Sequence, residues 1–350
     1  MTASINYHQL SRKIGLTSIA PSIDLKDRVV VITGGADGIG EAVVRGAILH
    51  GATVVAIDIQ NKKLRKLKKE FGSDKFVGIT RDLSKPMNRS FKEALTEVCN
   101  RFGKVDAYVM NAGVVRLGGA KDLLDPICAQ EIRALHQLNA VSHLEIFQVL
   151  HPYLAKSDAG RIVATSSPIV GRPDTKTAAY ALSKRDLEGI SLLIKAELKE
   201  QKNTNVIVSG WVPPPVQNAL SRDLKPNEPL YATPSGCDVA GLALRLISAS
   251  LLSQFDGQVL VFKDKRFAAK TPEGHDYRWN VRTENGYNMG INQRPLYEGG
   301  GTDGTVLLES YDTWASRQLM NEGPAPAIDF STPLRDAFPV PAHIAALRPK

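Results

Sequence analysis

The sequence has no apolar run approaching the ~18 residues that a membrane-crossing helix needs, so a spanning segment and membrane partners are not expected. Its 350 residues include only three cysteines, Cys99, Cys128 and Cys237, odd in number and widely scattered. Such a set builds no disulfide framework and fits reduced thiols in a cytoplasmic protein. The seven histidines form no HxxxH pair and none stands beside a pair of cysteines, so no metal site is expected. Acidic residues are missing from MTASINYHQLSRKIGLTSIA at the start, as are a continuous apolar stretch and a small-residue cleavage pattern. A secretory leader is therefore not expected there; the lack of acid leaves an organelle-targeting reading open, against which Arg12 and Lys13, the only two cations, weigh. Aromatic side chains interleaved with basic ones, as RNA-binding sheets use them, are also absent. The net charge of +8 thus does not imply nucleic acid. Its densest cluster, NKKLRKLKKEF at 61–71, places Leu64, Leu67 and Phe71 at helical spacing, which reads as a surface helix with its lysines in water.

What the chain does contain is an alternation. Apolar runs at 29–33, 53–58, 76–79, 106–110, 161–165, 205–208 and 258–262 are rich in β-branched residues and largely apolar on both faces, as buried parallel strands are. Segments such as 39–50, 87–102, 128–150 and 178–200 lie between them and are long enough for helices. The pattern predicts an α/β fold, a Rossmann-like doubly wound parallel sheet with helices on both faces. Residues 1–25 would be an N-terminal arm and 26–264 the dinucleotide-binding and catalytic domain. Residues 265–350, with eight prolines and eight glycines, break the alternation and would be an extension that acts as a lid or clasps another subunit. One segment of the extension, about 302–320, reads as helical.

The first strand runs directly into TGGADGIG. Gly34, Gly38 and Gly40, with Asp37 and Ile39 between them, stand where a strand turns into a helix, so the backbone can approach a pyrophosphate and the helix start offers N–H groups to it. The second strand ends at Asp58, twenty-four residues after Gly34, where a carboxylate would accept both adenosine ribose hydroxyls and repel a 2′-phosphate. Asp37 occupies the turn position where a base would hold that phosphate. Both acids point to NAD rather than NADP; Lys62 and Lys63 argue the other way.

Further motifs follow in order: Asp82-Leu83, the NAG of Asn111, Ala112 and Gly113, then Asn139, Ser167, and YALSK at 180–184. Together with TGGADGIG they make the chain, over about residues 26–262, resemble the short-chain dehydrogenase/reductase family. The resemblance implies that Asn139, Ser167, Tyr180 and Lys184 are catalytic. It also implies that Asp82 and Leu83, the NAG segment, Tyr180, Lys184 and Val212 bind the dinucleotide, and that the protein is a homodimer or homotetramer. In the family's scheme Lys184 also holds the nicotinamide ribose and Asn139 a proton-passing water. Independently, a phenol with a free pKa near 10 is a poor base at neutral pH. An ammonium about 4–5 Å away at an effective dielectric near 20 favours the phenolate by roughly 3–4 kcal/mol. Tyr180 and Lys184, four apart on a helix, project from one face. The reading is an NAD-dependent oxidoreductase that interconverts a secondary alcohol and a ketone.

The pattern breaks after the sixth strand. SGWVPPPV carries Ser209 where the family has proline and Pro214 where a threonine would hold the nicotinamide amide. The stretch from Trp211 to Tyr231 is mainly apolar and reads as the wall of a pocket for a bulky apolar substrate. Two rival readings fit the same residues: an NADPH-dependent ketoreductase, and a nucleotide-binding protein without redox activity.

Overall fold

The structure, a computed structural model, describes residues 23–115, 122–171, 177–202, 205–213, 236–249, 256, 258–262, 305–310 and 327–329. Seven strands run parallel: β1 (Val29–Thr33), β2 (Thr53–Asp58), β3 (Phe76–Thr80), β4 (Ala107–Met110), β5 (Gly160–Thr165), β6 (Val206–Val212) and β7 (Gln258–Phe262). They lie in the order β3-β2-β1-β4-β5-β6-β7. Seven helices are described: α1 (Gly38–Leu49), α2 (Asn61–Phe71), α3 (Arg89–Phe102), α4 (Cys128–His136), α5 (Ser142–Leu154), α6 (Ala178–Glu200) and α7 (Gly236–Leu246). A π-helical turn, Gln137–Val141, joins α4 to α5. The expected doubly wound sheet is present.

Alternation along each strand divides the core into two layers. Val30, Ile32, Val54 and Ala56 pack with the buried faces of α1, α2 and α7, while Val31, Val55, Ile57 and Tyr108 pack with those of α3, α5 and α6. Strands apolar on both faces, such as VVVIT in β1, can only be satisfied by helices on both sides. The edge strand β3 is half exposed. The basic helix α2 buries Leu64 and Leu67 and leaves its cations at the surface, as its spacing predicts.

Charge fixes the edge where the strands begin. The buried Asp106 carboxylate accepts Val29 N at 2.8 Å and Ser157 Oγ at 2.7 Å, with Lys104 at 3.1 Å. Arg28 donates to Asp106 O at 2.9 Å, and Arg161 donates to Ser248 O at 2.9 Å and Ala249 O at 2.8 Å. The opposite edge, where the strands end, is left for the loops.

Two expectations are corrected. The segment read as helical near 302–320 contains instead a strand, β8 (Thr305–Ser310), antiparallel to β7, and Ala327–Asp329 adds β9 beside it. TVLLES begins with β-branched residues, and pairing Val261 opposite Leu307 satisfies the main chain of β7, a gain that local helical spacing does not reveal. Trp211 is no pocket wall. It is fully buried in the layer that contains α7 and donates its indole N–H to Thr165 Oγ1 at 3.0 Å. The remainder of the supposed wall, 214–235, lies outside the described residues, as does Pro214. Ser209 sits within β6, buried, with no hydrogen-bond partner for its hydroxyl among the described residues. Among the described residues no helix is long and apolar enough to cross a membrane, and no group of three or more potential ligands could hold a metal ion.

Candidate active site

Six of the sequence-predicted positions fall where strands end, while Asn139 lies in the π-helical turn and Tyr180 and Lys184 on α6. Gly34 follows β1, Asp58 closes β2, Asp82 follows β3, the Asn111–Gly113 turn follows β4, Ser167 follows β5 and Val212 closes β6. Between β1 and β4 the chain reverses its direction of winding, which opens a crevice at the carboxyl ends of the strands.

The glycine turn is built around that crevice. Gly34 has φ +66°, a left-handed conformation that a side chain rarely adopts, and a Cβ there would stand 2.9 Å from Ala112 Cα. A Cβ on Gly40 would fall 1.9 Å from the Gly34 carbonyl oxygen. Asn111 Nδ2 donates to the Thr33 and Gly34 carbonyls at 3.0 and 3.3 Å, and Thr33 Oγ1 accepts the N–H groups of Asn111 and Ala112, both at 3.0 Å. The first intrahelical bond of α1 is Glu41 N to Asp37 O at 3.1 Å, and the Ile39 and Gly40 N–H groups ahead of it are first-turn donors with no partner among the described residues. A pyrophosphate fits such a helix start. The residues present therefore fit a dinucleotide.

At the far end of that cleft Asp58 does structural work too. Its Oδ2 accepts Ala36 N and its Oδ1 accepts Gln60 N, both at 2.9 Å, so the carboxylate braces the glycine turn. Each oxygen keeps a lone pair for a further donor. Asp37 caps α1 through Gly38 N at 2.9 Å and pairs with Lys63 Nζ at 2.7 Å. Asp82 accepts both Ser84 N at 2.9 Å and Ser84 Oγ at 2.7 Å, and the Ser84 hydroxyl holds its pKa below the usual carboxylate range. Leu83 and Val212 are buried apolar side chains.

Ser167, just after β5, and Tyr180 and Lys184, on α6, come together. The Ser167 hydroxyl lies near enough to the Tyr180 phenol to lower its pKa. Lys184, buried, donates Nζ to the Thr165 carbonyl at 2.8 Å. A Cβ on Gly113 would stand 3.0 Å from that Nζ, so the NAG glycine leaves the space through which the lysine passes. Asn139 sits in the π-helical turn, one of the places where a helix departs from regular geometry. Its side chain is committed to its own surroundings: Oδ1 accepts Val114 N at 3.0 Å, and Nδ2 donates to Val114 O at 2.9 Å and Ser183 Oγ at 2.8 Å. It therefore clamps the loop after β4.

The electrostatics differ from the expectation. Burial pushes the Tyr180 phenol up to about 12, opposed by the Ser167 hydroxyl rather than by the ammonium, whose Nζ is turned to Thr165. Burial also brings Lys184 down to about 8, against the pull of Glu188. Three neighbours escaped the sequence reading. His143, fully buried, lies with Nε2 3.1 Å from Ala112 O and Nδ1 3.3 Å from Tyr108 Oη; burial, then the Lys184 charge, lower it to about 3. Ser166 donates its hydroxyl to the Glu188 carboxylate. Their signal was present: His143 follows Asn139, and Glu188 follows Lys184, by four residues on a helix.

A family model described as short chain dehydrogenase matches residues 28–229. Oxidoreductase UcpA of Salmonella typhimurium is 29% identical over 211 residues, which cover 59% of this chain and 77% of that protein. The 3-oxoacyl-[acyl-carrier-protein] reductase FabG of Thermotoga maritima is 30% identical over 204 residues, 56% of this chain and 78% of that one. A solved short chain dehydrogenase from Shigella flexneri, complexed with NADP, superposes with a TM-score of 0.56 at 25% identity, covering 65% of this chain and 94% of that chain.

The close approach at Gly113 is testable. Gly113→Ala should overpack the contact with Lys184 and destabilise the protein by about 1–2 kcal/mol, read as a lower urea midpoint. An unchanged midpoint would mean that the lysine has room to move aside.

Proposed function

The chain belongs to the short-chain dehydrogenase family, and on that premise we propose that it interconverts a secondary alcohol and a ketone with NAD as its dinucleotide. The observation that carries this reading is the juxtaposition of Ser167, Tyr180 and Lys184 beside a glycine turn braced by an acid. When bound, the dinucleotide supplies the hydride acceptor or donor at its nicotinamide ring. Everything else is done by the chain. In oxidation Tyr180 takes the proton of the substrate hydroxyl at its phenol oxygen, and in reduction it returns one. Ser167 holds the substrate oxygen in line with that phenol. Because burial raises the phenol, it needs positive charge nearby to act as a base; Lys184, four residues along α6, is the chain's own cation for this, with its Nζ turned to the Thr165 carbonyl.

The choice of NAD rests on Asp58 and Asp37. A buried carboxylate at the end of β2 suits two ribose hydroxyls and opposes a phosphate. The second reading, an NADPH-dependent reductase, draws on Lys63 beside Asp37 and on the NADP held by the Shigella protein. Asp58→Asn separates the two, since it keeps an acceptor for the glycine turn and removes the charge. We expect the ratio of NADP to NAD affinity, measured by calorimetry, to rise at least about tenfold. An unaltered ratio would remove Asp58 from cofactor choice.

Tyr180→Phe keeps the ring and deletes the proton carrier. Turnover across a panel of secondary alcohols and ketones should drop by about 100-fold or more, with dinucleotide affinity little changed. Parent-like turnover would end the catalytic assignment, and a parent protein that binds dinucleotide yet turns over nothing would favour the non-redox reading.

A homo-oligomer is part of the proposal. Leu193, on α6, is 72% exposed, and Leu124, just ahead of α4, is 93% exposed; exposed leucines of this size suit a subunit contact. Leu193→Glu should shift the species in sedimentation velocity towards monomer; a parent that already sediments as monomer disproves the contact.

A further inference from the structure

Three consecutive residues at the end of β5 each hold one residue along a single stripe of α6. Ser167 acts on the Tyr180 phenol, the Thr165 carbonyl accepts from Lys184, and Ser166 donates to Glu188. Tyr180, Lys184 and Glu188 are spaced four apart and stack on one helix face. Two of these rungs belong to the proposed catalytic group, and the third has no task in it. Glu188 is half-buried, and its carboxylate is turned inward to the Ser166 hydroxyl beside the apolar core positions Leu187, Ile194 and Leu198.

We propose that Glu188, held by Ser166, is a positioning residue for Lys184: one helical turn behind the lysine, its carboxylate keeps the amine protonated and steady against the Thr165 carbonyl. The inference rests on the reading of Lys184 as part of the proton-handling group.

The surrounding charges allow it. On α6, Lys184 and Arg185 both act on Glu188, and from β5 the Ser166 hydroxyl does; together they favour its ionised form, against burial that raises it to about 7. From α5, His143 faces Lys184 as a neutral ring, and Tyr180 on α6 is a neutral phenol, so neither competes as a counter-ion. Glu188 is the group that raises Lys184 against its burial.

The test uses the full chain without cofactor or substrate. Carbon-13 at lysine Cε lets NMR follow the Lys184 titration, with the resonance assigned through Lys184→Arg. In Glu188→Gln the Lys184 pKa is expected to fall by roughly one unit or more, a tenfold loss of proton affinity, and Glu188→Asp should recover part of it. Ser166→Ala, which leaves the carboxylate without its donor and so less ionised, should move Lys184 in the same direction by less. A Lys184 titration identical in Glu188→Gln and the parent overturns the proposal. If Glu188→Gln does not fold, Ser166→Ala is read in its place, and an unmoved Lys184 there overturns it equally. Because no turnover is involved, failure here is distinct from failure of the alcohol-ketone reading, which Tyr180→Phe decides.

Discussion

A buried amine organises the carboxyl edge of this sheet. Removing an ammonium from water costs several kcal/mol unless hydrogen bonds and opposite charge replace the solvent, as an order of magnitude. Around Lys184 those replacements come from different parts of the chain: the Thr165 carbonyl at the end of β5, Glu188 one turn further along α6, and the open space at Gly113 after β4. Each in turn is fixed by something else. Trp211 in β6 holds the Thr165 hydroxyl, Ser166 holds Glu188, and Asn139 holds the residue after Gly113. Three strand ends and two helices are thereby committed to one nitrogen.

The cleft for the dinucleotide is held by a separate but adjoining set of bonds. Thr33, at the end of β1, accepts two main-chain N–H groups of the Asn111–Gly113 turn, while Asn111 reaches back to the Thr33 and Gly34 carbonyls. His143 lies against Ala112 from beneath, so the same turn joins the glycine loop to the helix of Asn139. The two halves meet at the NAG turn, with Asn111 serving the cofactor side and Gly113 the lysine side. That arrangement makes the geometry around Lys184 depend on the loop that would hold the dinucleotide.

Much of this was legible in the residues. Seven apolar runs separated by helical segments can bury both of their faces only in a doubly wound sheet, and the glycine, NAG and YALSK motifs placed the candidate site. Other features could not be read locally. Whether TVLLES is helix or strand depends on an unpaired β7 edge being available, which lies far away in sequence. Trp211 looks like a pocket residue in one dimension because an apolar loop and an apolar core have the same composition. Asp58 and Asp82 were read for their charge, yet both also hold main-chain N–H groups within their own turns.

Sequence alone determined the succession of strands β1 to β7, the positions of the chain that can turn tightly enough to meet a phosphate, and the four-residue interval that puts Tyr180 and Lys184 on one face. Those properties depend on neighbours within a turn or two, where spacing and covalent geometry suffice. Tertiary structure decided which carbonyl receives the amine, that burial rather than the ammonium governs the phenol, and that Ser166 and Glu188 stand behind the lysine. These are set by what excludes water from each group, and solvent is excluded by elements that meet only when the sheet has formed.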